Sequence, residues 1–235
     1  KDFAQMAADA DLEVIITPGP RAGWDVGRQL VTPEGGLSGL RYRGSDQLTY
    51  VIAEYLRCID LGFRGFLCID EGLLWVISQL KKTGDIPEDV VFKVSIYAGH
   101  ASAAGGKLLE SLGASTFNPL GDLTLPELAS IRQAIDIPLD LHIMLSESFG
   151  GFNRFYEGAE MARVCSPCYF KIEPGPALAA GAGAWYKPWT SPDLLSWQAR
   201  EKVKDAQIIH ELIQATNPQL KLSEVGAEDL AIPQR

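Results

Sequence analysis

What most constrains this chain is the regular alternation of short apolar runs with longer stretches of helical periodicity. Strand-like runs occur at Leu12–Thr17, Arg64–Asp70, Val91–Tyr97, Ser115–Asn118, Leu139–Met144 and Cys168–Glu173, with a weaker one at Leu220–Val225. From Arg64 to Glu173 they recur about every 23–30 residues, the spacing of successive βαβ units. Between them, apolar residues repeat with a period near 3.6 over Gln47–Leu61, Gly72–Lys82, Gly106–Leu112, Leu125–Ile135, Arg154–Val164 and Leu194–Gln214. Gly62, Gly84 and Gly113 follow helices as stop signals, and Thr124-Leu125-Pro126-Glu127 has the form of a capped first turn. The pattern predicts an α/β fold with a parallel sheet, most simply a (β/α) TIM-type barrel.

The length of 235 residues suits one such barrel. The reading is a single domain over 1–235, with 22–45 a long Gly-rich loop and 193–235 a C-terminal helix plus extension. Seven strand-like runs are visible where a closed barrel wants eight. Lys1–Asp9 reads as a helix preceding the first of them, so the expected eighth strand lies upstream of Lys1. An incomplete barrel and an open doubly wound sheet are the alternatives. The start lacks both an initiating Met and signal-peptide order, which reads as a trimmed chain or an internal piece of a longer protein.

Buried parallel strands are normally apolar on both faces, and these are not. Side chains alternate across a strand. Lys93, Ser95, Tyr97, Thr116, Asn118, Asp140, His142, Lys171 and Glu173 therefore can share one face, while Phe92, Val94, Ile96, Leu139, Leu141, Ile143, Phe170 and Ile172 face the helices. In a barrel the shared face is the interior. Charges gathered there are costly unless paired or used, which points to a catalytic or binding centre. A structural ion-pair plug is the other reading.

The net charge of −9 argues against nucleic acid or an anionic membrane surface as partner, since both need a basic footprint. No apolar run reaches the length of a membrane span. Four cysteines, Cys58, Cys68, Cys165 and Cys168, are too few for a disulfide framework, so a cytoplasmic location is expected.

The segments AGWDVGRQLVTPEGGLSGLRYRGSDQLTY, GFRGFLCIDEGLLWV, DVVFKVSIY, KLLESLGASTFNPLGDLTLPELASIR and GGFNRFYEGAEMARVCSPCYFK resemble TIM-barrel proteins of the U32 peptidase-like family. The resemblance runs roughly from Leu12 to Lys171. It implies a barrel and, by the family label, a hydrolase. Iron–sulfur-binding relatives use four well-spaced cysteines. Here Cys165-x-x-Cys168 is a lone pair, so no iron–sulfur cluster is expected. Gly-x-Ser-x-Gly, His-Glu-x-x-His and Walker patterns are absent, and serine or zinc peptidase chemistry therefore lacks a motif.

Lys171 is the sharpest catalytic candidate. Burial and a neighbouring like charge such as Lys93 favour a nucleophilic amine. A lysine on a late barrel strand could form a Schiff base with a carbonyl substrate, as similar lysines do in class I aldolase barrels, which makes a lyase the second enzyme reading. Asp140, His142 and Glu173 are acid–base candidates, and with His100 they could instead hold a divalent metal. Asn118, Tyr97, His100, Arg154 and Asp70 are candidate substrate-binding residues. Gly150–Arg154 reads as a helix start suited to an anion. The small-residue stretch after Glu173 lies where barrels often hold phosphate, and Trp185, Tyr186 and Trp189 read as a lid or a homo-oligomer contact. The expected partner is a small polar or carbonyl-bearing substrate at the strand C-terminal mouth. A non-catalytic ligand-binding barrel and a scaffold subunit are the readings from other classes.

Overall fold

A computed structural model describes residues 1–18, 41–145, 151–173, 191–227 and 230–234. Most of the 22–45 loop, Gly150, the small-residue stretch after Glu173, and Trp185, Tyr186 and Trp189 lie outside them. The described residues form two compact units. One comprises 1–120, 134–137 and 222–235, the other 121–133 and 138–221. In both, the strands joined through a helix are parallel, so the architecture is a mostly parallel α/β one. No described helix is long and apolar enough to cross a membrane.

The first unit opens with α1 (Asp2–Asp9) and carries β1 (Ile15–Ile16), α2 (Gly44–Asp60), β2 (Gly65–Cys68), α3 (Glu71–Thr83), β3 (Val91–Val94), α4 (Ala103–Ser111) and β4 (Thr116–Phe117). The strands lie side by side in chain order, all parallel. Phe66 and Phe92 are register partners. Their rings stack 5.7 Å apart and both meet Tyr55 of α2. All three are essentially fully buried and anchor the helix-facing core. Gly65 is required where β1 and β2 meet, because an added Cβ would stand 2.7 Å from the Val14 carbonyl oxygen and 2.9 Å from Ala231 Cβ.

The chain's C-terminal segment returns to this unit. Val14 N–H donates to Ala231 O at 3.3 Å, and Gln234 N–H to Gly62 O at 2.8 Å. The expected strand at Leu220–Val225 is absent. These residues are irregular and mostly exposed, because Leu220-Lys221-Leu222 alternates without a neighbouring strand to pair with.

The second unit contains most of α5 (Leu125–Ala134), then β5 (Leu139–Leu145), β6 (Phe152–Asn153), α6 (Gly158–Cys165), β7 (Cys168–Ile172) and α7 (Pro192–Thr216). β7 runs parallel to β5, and β6 pairs antiparallel with the end of β5. The helix expected from Arg154 therefore starts four residues later. Phe152–Asn153 forms a strand and Phe155–Glu157 a 3₁₀ turn before α6 begins. Ile143 packs with Ala159 and Ala162 of α6 and Ile209 and Ile213 of α7, and Phe170 and Ile172 join the same cluster. This fixes which face of β5 and β7 meets the helices.

Candidate functional site

Register decides the site in the second unit. On β5 and β7 the Cα partners are Asp140 with Tyr169, Leu141 with Phe170, and His142 with Lys171. Ile143 and Phe170 point toward the helix cluster, so Asp140, His142, Tyr169 and Lys171 share the opposite face. Between His142 and Met144 the register shifts, and beyond that bulge Glu173 N–H donates to Met144 O at 3.0 Å.

Asp140 is completely buried, and its Oδ2 accepts a 2.8 Å hydrogen bond from the Tyr169 hydroxyl. The Lys171 ammonium lies 3.5 Å from the same oxygen, with 28% of its side chain still exposed. The cation is therefore held by a buried carboxylate yet reachable from outside. His142 sits opposite Lys171. Burial first, and then the Lys171 charge, push its imidazole down to about 4, against the opposing pull of Glu173. At neutral pH it is an uncharged hydrogen-bonding group rather than a base. Its Nδ1 is buried with no hydrogen-bond partner among the described residues.

In the first unit Lys93 and Thr116 are register partners and both are buried. Lys93 pairs with Glu13 at 2.7 Å, and the other oxygen of Glu13 accepts the Ala231 N–H at 3.0 Å. Asn118 is fully buried and its Nδ2 donates to Pro119 O at 3.2 Å.

A second charged cluster forms after β2 and β3. His100 Nε2 lies 2.6 Å from Glu71 Oε1. Arg41 is hydrogen-bonded to both Glu71 oxygens, to Ile69 O at 2.8 Å and to Ala98 O at 3.2 Å. Burial alone would raise the Glu71 carboxyl. The bonds from His100, its own backbone amide and Arg41 outweigh this and hold it below the usual carboxylate range.

Other sequence candidates have local structural duties. Asp70 caps α3, accepting Leu73 N–H at 2.9 Å. Tyr97 does not share the strand face, because β3 ends at Val94. Ser95 caps a 3₁₀ turn over Ile96–Ala98, which leaves Tyr97 exposed. Arg154 donates to Gly121 O at 2.9 Å and to Glu157 at 2.7 Å.

Among the described residues no group of three or more His, Cys, Asp or Glu side chains is placed to hold a metal ion. Asp140, His142, Glu173 and His100 thus do not assemble as a ligand set there. Burial pushes the thiols of Cys68 and Cys165 up to about 12 and that of Cys168 up to about 11, and raises Cys58 as well. Protonated, buried thiols are poor nucleophiles.

Sequence reasoning missed Tyr169, Glu13, Arg41 and Glu71. Tyr169 was signalled by its parity with Lys171. Glu13, which precedes its strand, carried no signal for a partner 80 residues away.

No protein-family model and no curated protein matches this chain. Solved structures similar to it include the U32 peptidase Mk0906, at 20% identity and TM-score 0.41, covering 62% of this chain and 51% of that one. They also include a Pseudomonas aeruginosa protein carrying the name of a dihydrodipicolinate synthetase, at 17% identity and TM-score 0.36, covering 75% and 78%. The chain spans about half the length of the U32 peptidase structure it matches. A bearer of the family name that the sequence resembles is thus among its structural neighbours.

Proposed function

We propose that this chain is a U32 peptidase-like, TIM-type barrel enzyme that acts on a small carbonyl-bearing substrate through Lys171. One observation carries the reading. A partly exposed lysine stands 3.5 Å from a fully buried aspartate, which also accepts a tyrosine hydroxyl. Burial strips solvation from an ion pair and makes it costly; this lysine keeps its contact with solvent, which is also what a nucleophile needs in order to be reached.

In this reaction Lys171 first gives up its ammonium proton to solvent, and the amine nitrogen then forms an N–C bond to the carbonyl carbon. The π pair moves to oxygen, and the nitrogen gives up a proton as the oxygen takes one, which leaves a neutral carbinolamine. The C–O bond of the carbinolamine then breaks as one proton from outside reaches its oxygen, the nitrogen lone pair forms the C=N bond, and water leaves. Asp140 stabilises the protonated imine that remains, and the Tyr169 hydroxyl, bonded to Asp140, is the nearby proton carrier. The parallel βαβ succession supports the barrel, with the substrate entering at the strand C-terminal mouth.

Borohydride reduction in the presence of a panel of small aldehydes and ketones tests this. Peptide mass spectrometry should find a reduced adduct at Lys171, and Lys171→Met should remove it. Adducts confined to exposed lysines such as Lys82 would refute the reading. Specific ligand binding without any adduct would favour a non-catalytic binding protein.

A further inference from the structure

We infer that the substrate carries a hydroxyl on the carbon next to its carbonyl, and that His142 is the residue that recognises it. This rests on the Lys171 reading. His142 and Lys171 are direct partners on adjacent parallel strands, which sets their backbones about 4.8 Å apart with both side chains on one face. A group bonded to the carbon beside an imine at Lys171 would project along that face toward the imidazole.

His142 Nδ1 is shielded from water and has no hydrogen-bond partner among the described residues. Buried polar atoms are nearly always matched, so an unmatched one beside a reactive group is a place for a ligand atom. The neighbouring groups define the kind of atom. Lys171 is already countered by Asp140, and Glu173 adds negative charge near the imidazole. A carboxylate at that place would meet repulsion from Glu173, and Lys171, the cation that faces it among the described residues, is already engaged by Asp140. An uncharged imidazole offers one donor and one acceptor, the complement of a hydroxyl, which is itself both. The geometry thus points to an α-hydroxy carbonyl rather than an α-keto acid or a plain aldehyde.

The experiment compares glycolaldehyde, acetaldehyde and glyoxylate in separate reductive-trapping reactions with the intact protein. Labelling at Lys171 is divided by labelling at exposed Lys82, which removes the intrinsic reactivity of each aldehyde. The expected ratio is highest for glycolaldehyde, by about fivefold or more over acetaldehyde, the factor that one net hydrogen bond supplies. His142→Leu should bring the glycolaldehyde ratio down to that of acetaldehyde. His142→Asn, whose amide reaches the position of Nδ1, should retain part of the preference. If His142→Leu fails to fold, the wild-type comparison alone decides. Equal ratios for glycolaldehyde and acetaldehyde, or a preference for glyoxylate, would overturn this inference and leave Lys171 as the reactive amine. Lys171 labelling no higher than Lys82 with all three would overturn both.

Discussion

His142 should make this protein acid-sensitive by an amount that can be isolated. Its imidazole is pushed from 6.5 down to about 4, by burial first and by Lys171 second. Between those values the unfolded chain holds a proton that the folded one does not. Folding stability therefore rises with pH across this window and is lost as pH falls through it. A displacement of about 2.5 pH units corresponds to about 3 kcal/mol, of which about 2 kcal/mol is already lost between pH 7 and pH 5. Urea unfolding followed by circular dichroism at pH 7, 6 and 5 gives the total dependence for the wild type, in which carboxylates also titrate. The same series on His142→Leu removes the imidazole and keeps the carboxylates. The wild-type minus variant difference should fall by about 2 kcal/mol from pH 7 to pH 5, with a slope approaching 1.4 kcal/mol per pH unit. A difference that stays constant over this range would mean that His142 charges freely in the folded state. The argument that it is a neutral hydrogen-bonding group would then fail.

Two further substitutions probe the buried charges. Tyr169→Phe removes a donor to the buried Asp140 carboxylate and should cost about 1–3 kcal/mol in urea unfolding; no loss would mean that the hydroxyl is not engaged there. Glu13→Gln takes the carboxylate from buried Lys93 and should cost on the order of 3 kcal/mol, with much of it recovered in the Glu13→Gln, Lys93→Met double variant. Additive losses in the double variant would show that the two side chains are not coupled.

The repeat of strands and helices was legible because apolar periodicity records which face is buried, and that survives without any knowledge of neighbours. The parity argument held where strands are long and paired in register. On β5 and β7 it groups Asp140 and His142 with Lys171, and the register does the same. It failed at Tyr97, because Ser95 can accept the Tyr97 amide and start a 3₁₀ turn, and Gly99 at φ 79° then ends it. Alternation in sequence says nothing about where a strand stops. Leu220–Val225 failed for the related reason that a strand also needs a partner edge. Asp70, a substrate-binding candidate in the sequence, stands directly before an apolar helix and caps it. The Arg41–Glu71–His100 cluster was half visible, since His100 was noted and the two residues it depends on were not. Their contacts span 29 and 30 residues and leave no local pattern.

The return of residues 230–234 to β1 also has a bearing on how the chain is made. Glu13 takes the Ala231 amide, 218 residues later, while its other oxygen holds Lys93. The second unit's residues all fall inside that interval. On a ribosome, therefore, the unit that begins first is the one completed last. Its earliest strands must wait for the Ala231 amide that one Glu13 oxygen accepts until an entire separate unit has emerged. Such long-range closure slows folding. Chaperone capture of nascent chains should accordingly concentrate on the early strands rather than on the later, self-contained segment.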